Sequence, residues 1–160
     1  MRRIGTTSEN ERSWAIDLIS DINSYINGED EESIIKHAGG EMSLSTGNGS
    51  LFPDILLFGD KGKTSVLQGW ELKYPDTNID DKELINNAKI KAELLGVNSF
   101  LVWNVSIAKL YVKNNEDEDF KVFKEWNSLS HITTRAEVAY NMHEIKRELH
   151  IILDLSLIHI

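Results

Sequence analysis

The sequence predicts an α/β fold in which a mixed central sheet is flanked by helices. Apolar residues recur at three- and four-residue steps in three long segments, as they do in amphipathic helices. Short apolar runs bounded by turn residues lie between these segments, as expected of strands. In chain order the pattern is a helix, three strands, a helix and two strands, with a third helix at the end.

The first helix is predicted over residues 8 to 27, because Ser8 and Glu11 form a capping-box pattern and Gly28 is a natural stop. Three strands are then predicted in the segments MSLST, PDILLF and SVLQGWELK. Turn-forming stretches separate these segments, so antiparallel pairing in chain order is the simplest arrangement.

The second helix is predicted from Asp80 to Leu95, with a carboxylate-rich first turn and Gly96 just past its end. The segments SFLVWNV and IAKLYVK are predicted strands. A third helix, from Thr134 to about Leu153, begins with another capping-box pattern. We expect its apolar stripe to need a partner, which could lie within the chain or outside it.

Composition narrows the class of protein. The 160 residues are 41% hydrophobic, which is enough to bury the core of one domain. The absence of cysteine excludes disulfides and thiolate metal sites and favours a reducing cytoplasm. Without a long apolar run, a membrane span is not predicted. The net charge of -9 argues against tight, unaided binding to DNA through a basic face.

Charged residues stand at the ends of two predicted strands. Asp54 opens one strand, and Glu71 and Lys73 close the next, on the same side because strand side chains alternate. An antiparallel hairpin would bring Asp54 opposite the end that carries the other two. Two carboxylates at one edge favour a bound cation, and oxygen ligands favour Mg²⁺. Lys73 could then orient or deprotonate an attacking water, or stabilise developing charge.

Pro-Asp followed by Glu-x-Lys at a strand end resembles the PD-(D/E)xK superfamily of restriction-endonuclease-like nucleases. The resemblance covers roughly residues 8 to 113, where the order of elements is also similar to the α-β-β-β-α-β core of that fold. It implies that Asp54, Glu71 and Lys73 are catalytic, with Asp54 and Glu71 as Mg²⁺ ligands. The upstream acids Glu41 and Glu11 are further candidate ligands, although Glu11 already has a capping role.

The stretches LFPDILLF, GWELKYPDT and SFLVWNV are similar to the N-terminal nuclease domain of fused restriction-modification enzymes. That resemblance implies DNA as the substrate and a covalently linked DNA methyltransferase and target-recognition domain as partners. Cleavage of both DNA strands would need two active sites, which makes a homodimer one of the expectations. Two alternatives stay open: a repair or recombination nuclease of the same fold, and a catalytically inactive interaction domain.

Several other residues favour structural interpretations. We expect Trp70 and Trp103 in the core and Asp76 in a turn. The helix lysines Lys89 and Lys91 are expected to be solvated, although either could contact phosphate.

The predicted organisation is a nuclease domain over residues 1–125 and a helical extension over residues 126–154 that leads towards a further C-terminal region. The final stretch LSLIHI, residues 155–160, resembles the translation of a sequencing-library adapter and is expected to be an artificial tail. The alternative is an ordinary apolar end of a helix or a strand.

Overall fold

The structure is a computed structural model of the chain. It describes residues 6–28, 34–40 and 53–156, and within the first helix it describes side chains from Trp14 onwards. The helices are α1 (Thr6–Gly28), α2 (Lys82–Leu95), α3 (Arg135–Tyr140) and α4 (Met142–Ser156). The strands are β1 (His37–Gly39), β2 (Ile55–Phe58), β3 (Val66–Leu72), β4 (Ser99–Trp103), β5 (Ala108–Val112) and β6 (Lys121–Trp126).

The described strands form one six-stranded sheet whose spatial order equals the chain order. Neighbouring strands are antiparallel except for β3 and β4, which are parallel. A parallel pair needs a crossover connection, and α2 provides it. The predicted α/β class and the mixed sheet are therefore confirmed.

Helices cover both faces of the sheet. On one face, residues of α1 and α4 share an apolar cluster with Trp70 and Trp103, which confirms both tryptophans as core residues. On the other face, Ala88 and Ala92 of α2 pack in a second cluster with residues of β4 and β5. None of the helices in the described ranges combines the length and hydropathy needed to cross a bilayer.

The ends of α2 follow the prediction closely. The Asp81 side chain accepts a hydrogen bond of 3.0 Å from the amide of Leu84, so Asp81 is the N-cap. Gly96 takes a left-handed conformation at the C-terminus, with φ of 71°.

Two described strands were not predicted, and the third helix differs from its prediction. The predicted strand MSLST lies outside the described residues, and the described strand β1, at His37–Gly39, was not predicted. Strand β6 was not predicted, because five of its six residues are exposed and its sequence KVFKEW has no alternating apolar pattern. The predicted third helix is divided into two helices. The first begins at a capping box at Thr134 and ends at Asn141, directly before the second.

The apolar stripe of the last helix has a partner within the chain. Ile145, Leu149 and Ile152 are fully buried in the cluster shared with α1. At the edge of this contact, His150 approaches Asp21 of α1 at 2.7 Å and stacks on a tyrosine of the same helix. Helix α4 continues to Ser156, two residues into the stretch predicted as an artificial tail.

Candidate functional site

Asp54 meets the end of β3, as the hairpin geometry predicts. Its Oδ2 accepts a hydrogen bond of 2.8 Å from the backbone amide of Leu72, the last residue of that strand. The register of β2 on β3 pairs Ile55 with Trp70 and so carries the start of one strand to the end of the other. The carboxylate of Asp54 is therefore fixed beside the segment that holds Glu71 and Lys73.

A glycine allows the Pro-Asp pair to approach β3. A Cβ atom on Gly69 would lie 2.5 Å from Cγ of Pro53, which is closer than real contacts permit. Glycine in the middle of a strand is unfavourable, and one reason to keep it is the close approach of another part of the chain. The pair Pro53 and Gly69 thus sets the position from which Asp54 reaches Leu72.

Glu71 is buried, with only 5% of its surface exposed, on the side of the sheet that faces α2. Its Oε1 lies 2.7 Å from Nζ of Lys91, which belongs to α2. Burial, followed by the negative charge of Asp54, raises the pKa of Glu71 from its ordinary value of 4.5 to about 7. Lys91 and Lys73 act in the opposite direction and favour the ionised form.

Lys73 follows the last residue of β3, and its backbone amide donates to the carbonyl of Trp103 at 2.9 Å. Its side chain is half-buried and lowers the pKa of Glu71 through its positive charge. It also lines a cleft of about 390 Å³ at the start of α2. In the described part of the chain, the Lys73 ammonium forms no hydrogen bond or ion pair. The ammonium therefore lies beside an open space and near a buried carboxylate.

The cleft beside Lys73 has a mixed charge. Arg135 lines it as a second cation, and Asp81 and Glu83 line it as acids. The guanidinium of Arg135 pairs with Asp76 at 3.1 Å. Asp76 lies in an exposed turn, as predicted.

The structure does not describe the side chains of the other two candidate ligands, Glu41 and Glu11. Glu41 lies outside the described residues. Glu11 lies within α1, but its side chain is not among those described. The structure therefore gathers Asp54, Glu71 and Lys73, while the two upstream acids stay candidates.

Lys91 is the residue that sequence reasoning missed. It was expected to be solvated, but its side chain is only 18% exposed and it pairs with Glu71. Lys89, two residues earlier, pairs with Asp119, whose side chain is 65% exposed. This pair is therefore closer to the solvated position that was expected of both lysines. A signal was present: Lys91 follows Leu84 by seven residues and Ala88 by three, so it lies on the apolar stripe of α2.

The oxygen atoms of Asp54 and Glu71 are the type of ligand that Mg²⁺ binds. Asp54 and Glu71 supply carboxylate oxygens, and Mg²⁺ is commonly held by one or two carboxylates while water fills its other positions. Over the three described ranges, no group of three or more histidine, cysteine, aspartate or glutamate residues could hold a metal ion. A metal here would thus rest on these two carboxylates and on ligands that are not acidic side chains of the described residues.

Comparisons of the chain with models of known protein families, with curated proteins and with solved structures found no match. Function is therefore inferred from the residues of the site and their geometry.

Proposed function

We propose that the chain is a Mg²⁺-dependent endonuclease domain that hydrolyses phosphodiester bonds of DNA, with a restriction-endonuclease-like core. The observation that carries this proposal is the meeting of two carboxylates and a lysine at the end of β3. Asp54 binds the amide of Leu72, which stands between Glu71 and Lys73 in the sequence. Three antiparallel strands, a crossover helix and a parallel fourth strand are compatible with that core.

Asp54 and Glu71 are the proposed metal ligands, with Glu41 as a further candidate. When bound, Mg²⁺ supplies Lewis-acid chemistry at a phosphoryl oxygen and lowers the pKa of a coordinated water. The burial of Glu71 and its separation from bulk water strengthen its interaction with any cation beside it.

Lys73 is the proposed catalytic lysine. In hydrolysis, the oxygen of a water forms a bond to phosphorus, one backbone P–O bond breaks, and the leaving oxygen takes up a proton. An ammonium beside the cleft can orient that water or stabilise the charge that develops on the phosphate oxygens. Its position next to the carboxylate pair is what such a role requires.

The choice of target is proposed to come from other domains. A net charge of -9 and a cleft that holds both acids and cations give little basis for strong nonspecific binding of DNA. We therefore propose a cytoplasmic cleavage module of a restriction-modification enzyme, fused to a methyltransferase and a target-recognition domain. A homodimer would supply the second active site for cutting both strands.

Cleavage of supercoiled plasmid DNA tests the proposal directly. The wild-type chain should nick or linearise plasmid in Mg²⁺ and not in EDTA. Lys73→Ala should lose activity by roughly 100-fold or more, because the lysine acts on the reacting water or phosphate. Lys61→Ala is the matched control, since this lysine lies exposed in the turn between β2 and β3 and should leave the rate unchanged.

Retained activity in Lys73→Ala would remove the lysine from the mechanism. If the wild-type chain does not cleave DNA, a melting measurement still tests for the metal site. A ligand that binds the native state raises the melting temperature. Mg²⁺ should raise that temperature in the wild type and not in Asp54→Asn. Absence of both cleavage and the Mg²⁺ effect would overturn the nuclease and favour an inactive interaction domain.

A further inference from the structure

The ion pair between Lys91 and Glu71 differs from the other lysine pair on the same helix. Lys91 and Glu71 are 18% and 7% exposed at their side chains, whereas Lys89 and Asp119 are 24% and 65% exposed. Exposed pairs contribute little to stability, and buried pairs often contribute no more than apolar residues of the same volume. The two lysines are similarly exposed, so the difference lies in their partners: Lys91 is paired with a buried carboxylate, which points to a role other than stability.

The pair also lies at the place proposed for the metal. Nζ of Lys91 is 2.7 Å from Oε1 of Glu71, and the charge of Asp54 acts on the same carboxylate. Lys73 adds a second positive charge nearby. Among the described residues, the Glu71 carboxylate thus has one further negative charge and two positive charges around it.

A divalent cation at this place would meet the same charges. An oxygen of Glu71 that contacts the ammonium of Lys91 at hydrogen-bonding distance has less capacity to bind a metal, and a positive charge a few ångströms away repels the metal. Metal binding to Glu71 therefore competes with Lys91 for the same carboxylate.

We propose that Lys91 is the internal counter-ion of the metal site: its ammonium holds the Glu71 carboxylate when no metal is bound, and a divalent cation must displace it. This inference rests on the proposed function, because it takes Asp54 and Glu71 as the metal ligands. Lys91 is then a positioning residue that sets the metal affinity and need not touch the substrate.

Titration with MgCl₂ alone, followed by isothermal calorimetry, tests the proposal without any measurement of activity. The experiment compares the wild-type chain with Lys91→Gln at about pH 9, where a proton competes least with the metal. Glutamine keeps a donor for Glu71 and removes the charge. Lys91→Gln should bind Mg²⁺ roughly tenfold more tightly than the wild type, because the repelling charge is gone.

Two variants separate charge from disturbance of the helix. Lys89→Gln makes the same substitution two residues away and should stay within about twofold of the wild type, because its partner Asp119 is exposed. Lys91→Arg keeps the charge at the site and should also stay close to the wild-type affinity. Melting curves of all four proteins show whether each is folded.

The outcomes distinguish this inference from the proposed function. Metal binding by the wild type with equal or weaker binding by Lys91→Gln overturns the counter-ion and leaves the metal site standing. Equal tightening in Lys91→Arg also overturns it, because the charge would not be the cause. No binding of Mg²⁺ by any of the four proteins overturns the metal site, and the counter-ion with it.

Discussion

The two faces of the sheet differ where β3 and β4 lie side by side. Towards α1 and α4, these strands present Trp70, Leu72, Leu101 and Trp103, all 1% exposed or less. Gln68 on this face is a neutral amide that donates to a serine and accepts from the indole of Trp70, each at 2.7 Å. This face combines large apolar side chains with a polar group that has its hydrogen-bond partners.

Towards α2, the same strands present Gly69, Glu71, Phe100 and Val102. The ring of Pro53 fills the space over Gly69, whereas Glu71 places a buried carboxylate where the other face has apolar side chains. A carboxylate at the position of Glu71 contributes less burial free energy than an apolar side chain and places a charge where desolvation is costly. The face towards α1 and α4 therefore stabilises the fold, whereas the face towards α2 gives up stability at Glu71 to hold the candidate site.

The largest expected effect tests the stabilising face. Trp103→Ala should lower the free energy of unfolding by about 4 kcal/mol, because it empties a buried site where the indole contacts Trp14 and Trp70 edge-on. Urea denaturation measures the change. The neighbouring Val102→Ala, on the face towards α2, should cost only about 2 kcal/mol. Equal losses in both variants would contradict the asymmetry between the faces.

The second effect concerns the charge on the other face. The pKa of Glu71 is about 7 in the folded protein against an ordinary value of 4.5, so the folded state binds more protons between these values. The contribution of Glu71 to stability therefore falls as the pH rises through this window, by about 3 kcal/mol in total. In Glu71→Gln that contribution is absent.

Denaturation in EDTA at several pH values between 4.5 and about 8 compares the wild type with Glu71→Gln. Relative to the wild type, the variant should gain stability as the pH rises. If the unfolding free energies of the two proteins change with pH in parallel, burial of the Glu71 carboxylate has no electrostatic cost. The proposed electrostatic difference between the two faces would then be wrong.

The same contrast explains what could be predicted from the sequence. Apolar runs, capping residues and turn glycines act locally, so the α/β class and most elements could be predicted. Asp54, Glu71 and Lys73 could be placed together because strand alternation and hairpin pairing depend only on short spacings. The contact between Lys91 and Glu71 joins a helix to a strand 20 residues away, and it depends on how α2 is rotated on the sheet. Packing of the helix on the sheet sets that rotation, so the position of Lys91 in the sequence does not show that its side chain faces Glu71.

The smallest change in stability is expected at Gly69, the glycine that lets Pro53 and Asp54 lie close to β3. Gly69→Ala should destabilise the protein by about 2 kcal/mol, because the new methyl group would overlap the ring of Pro53 and force the start of β2 away from β3. The displacement would also pull Asp54 from the Leu72 amide, so the Mg²⁺ effect on the melting temperature should shrink. Gly62→Ala, in the exposed turn, is the control: its methyl group would lie 3.3 Å from Oδ2 of Asp60, so it should cost no more than about 1 kcal/mol and leave the Mg²⁺ effect unchanged. An unchanged Mg²⁺ effect in a destabilised Gly69→Ala protein would mean that Asp54 keeps its place without this contact, and that the glycine serves packing alone.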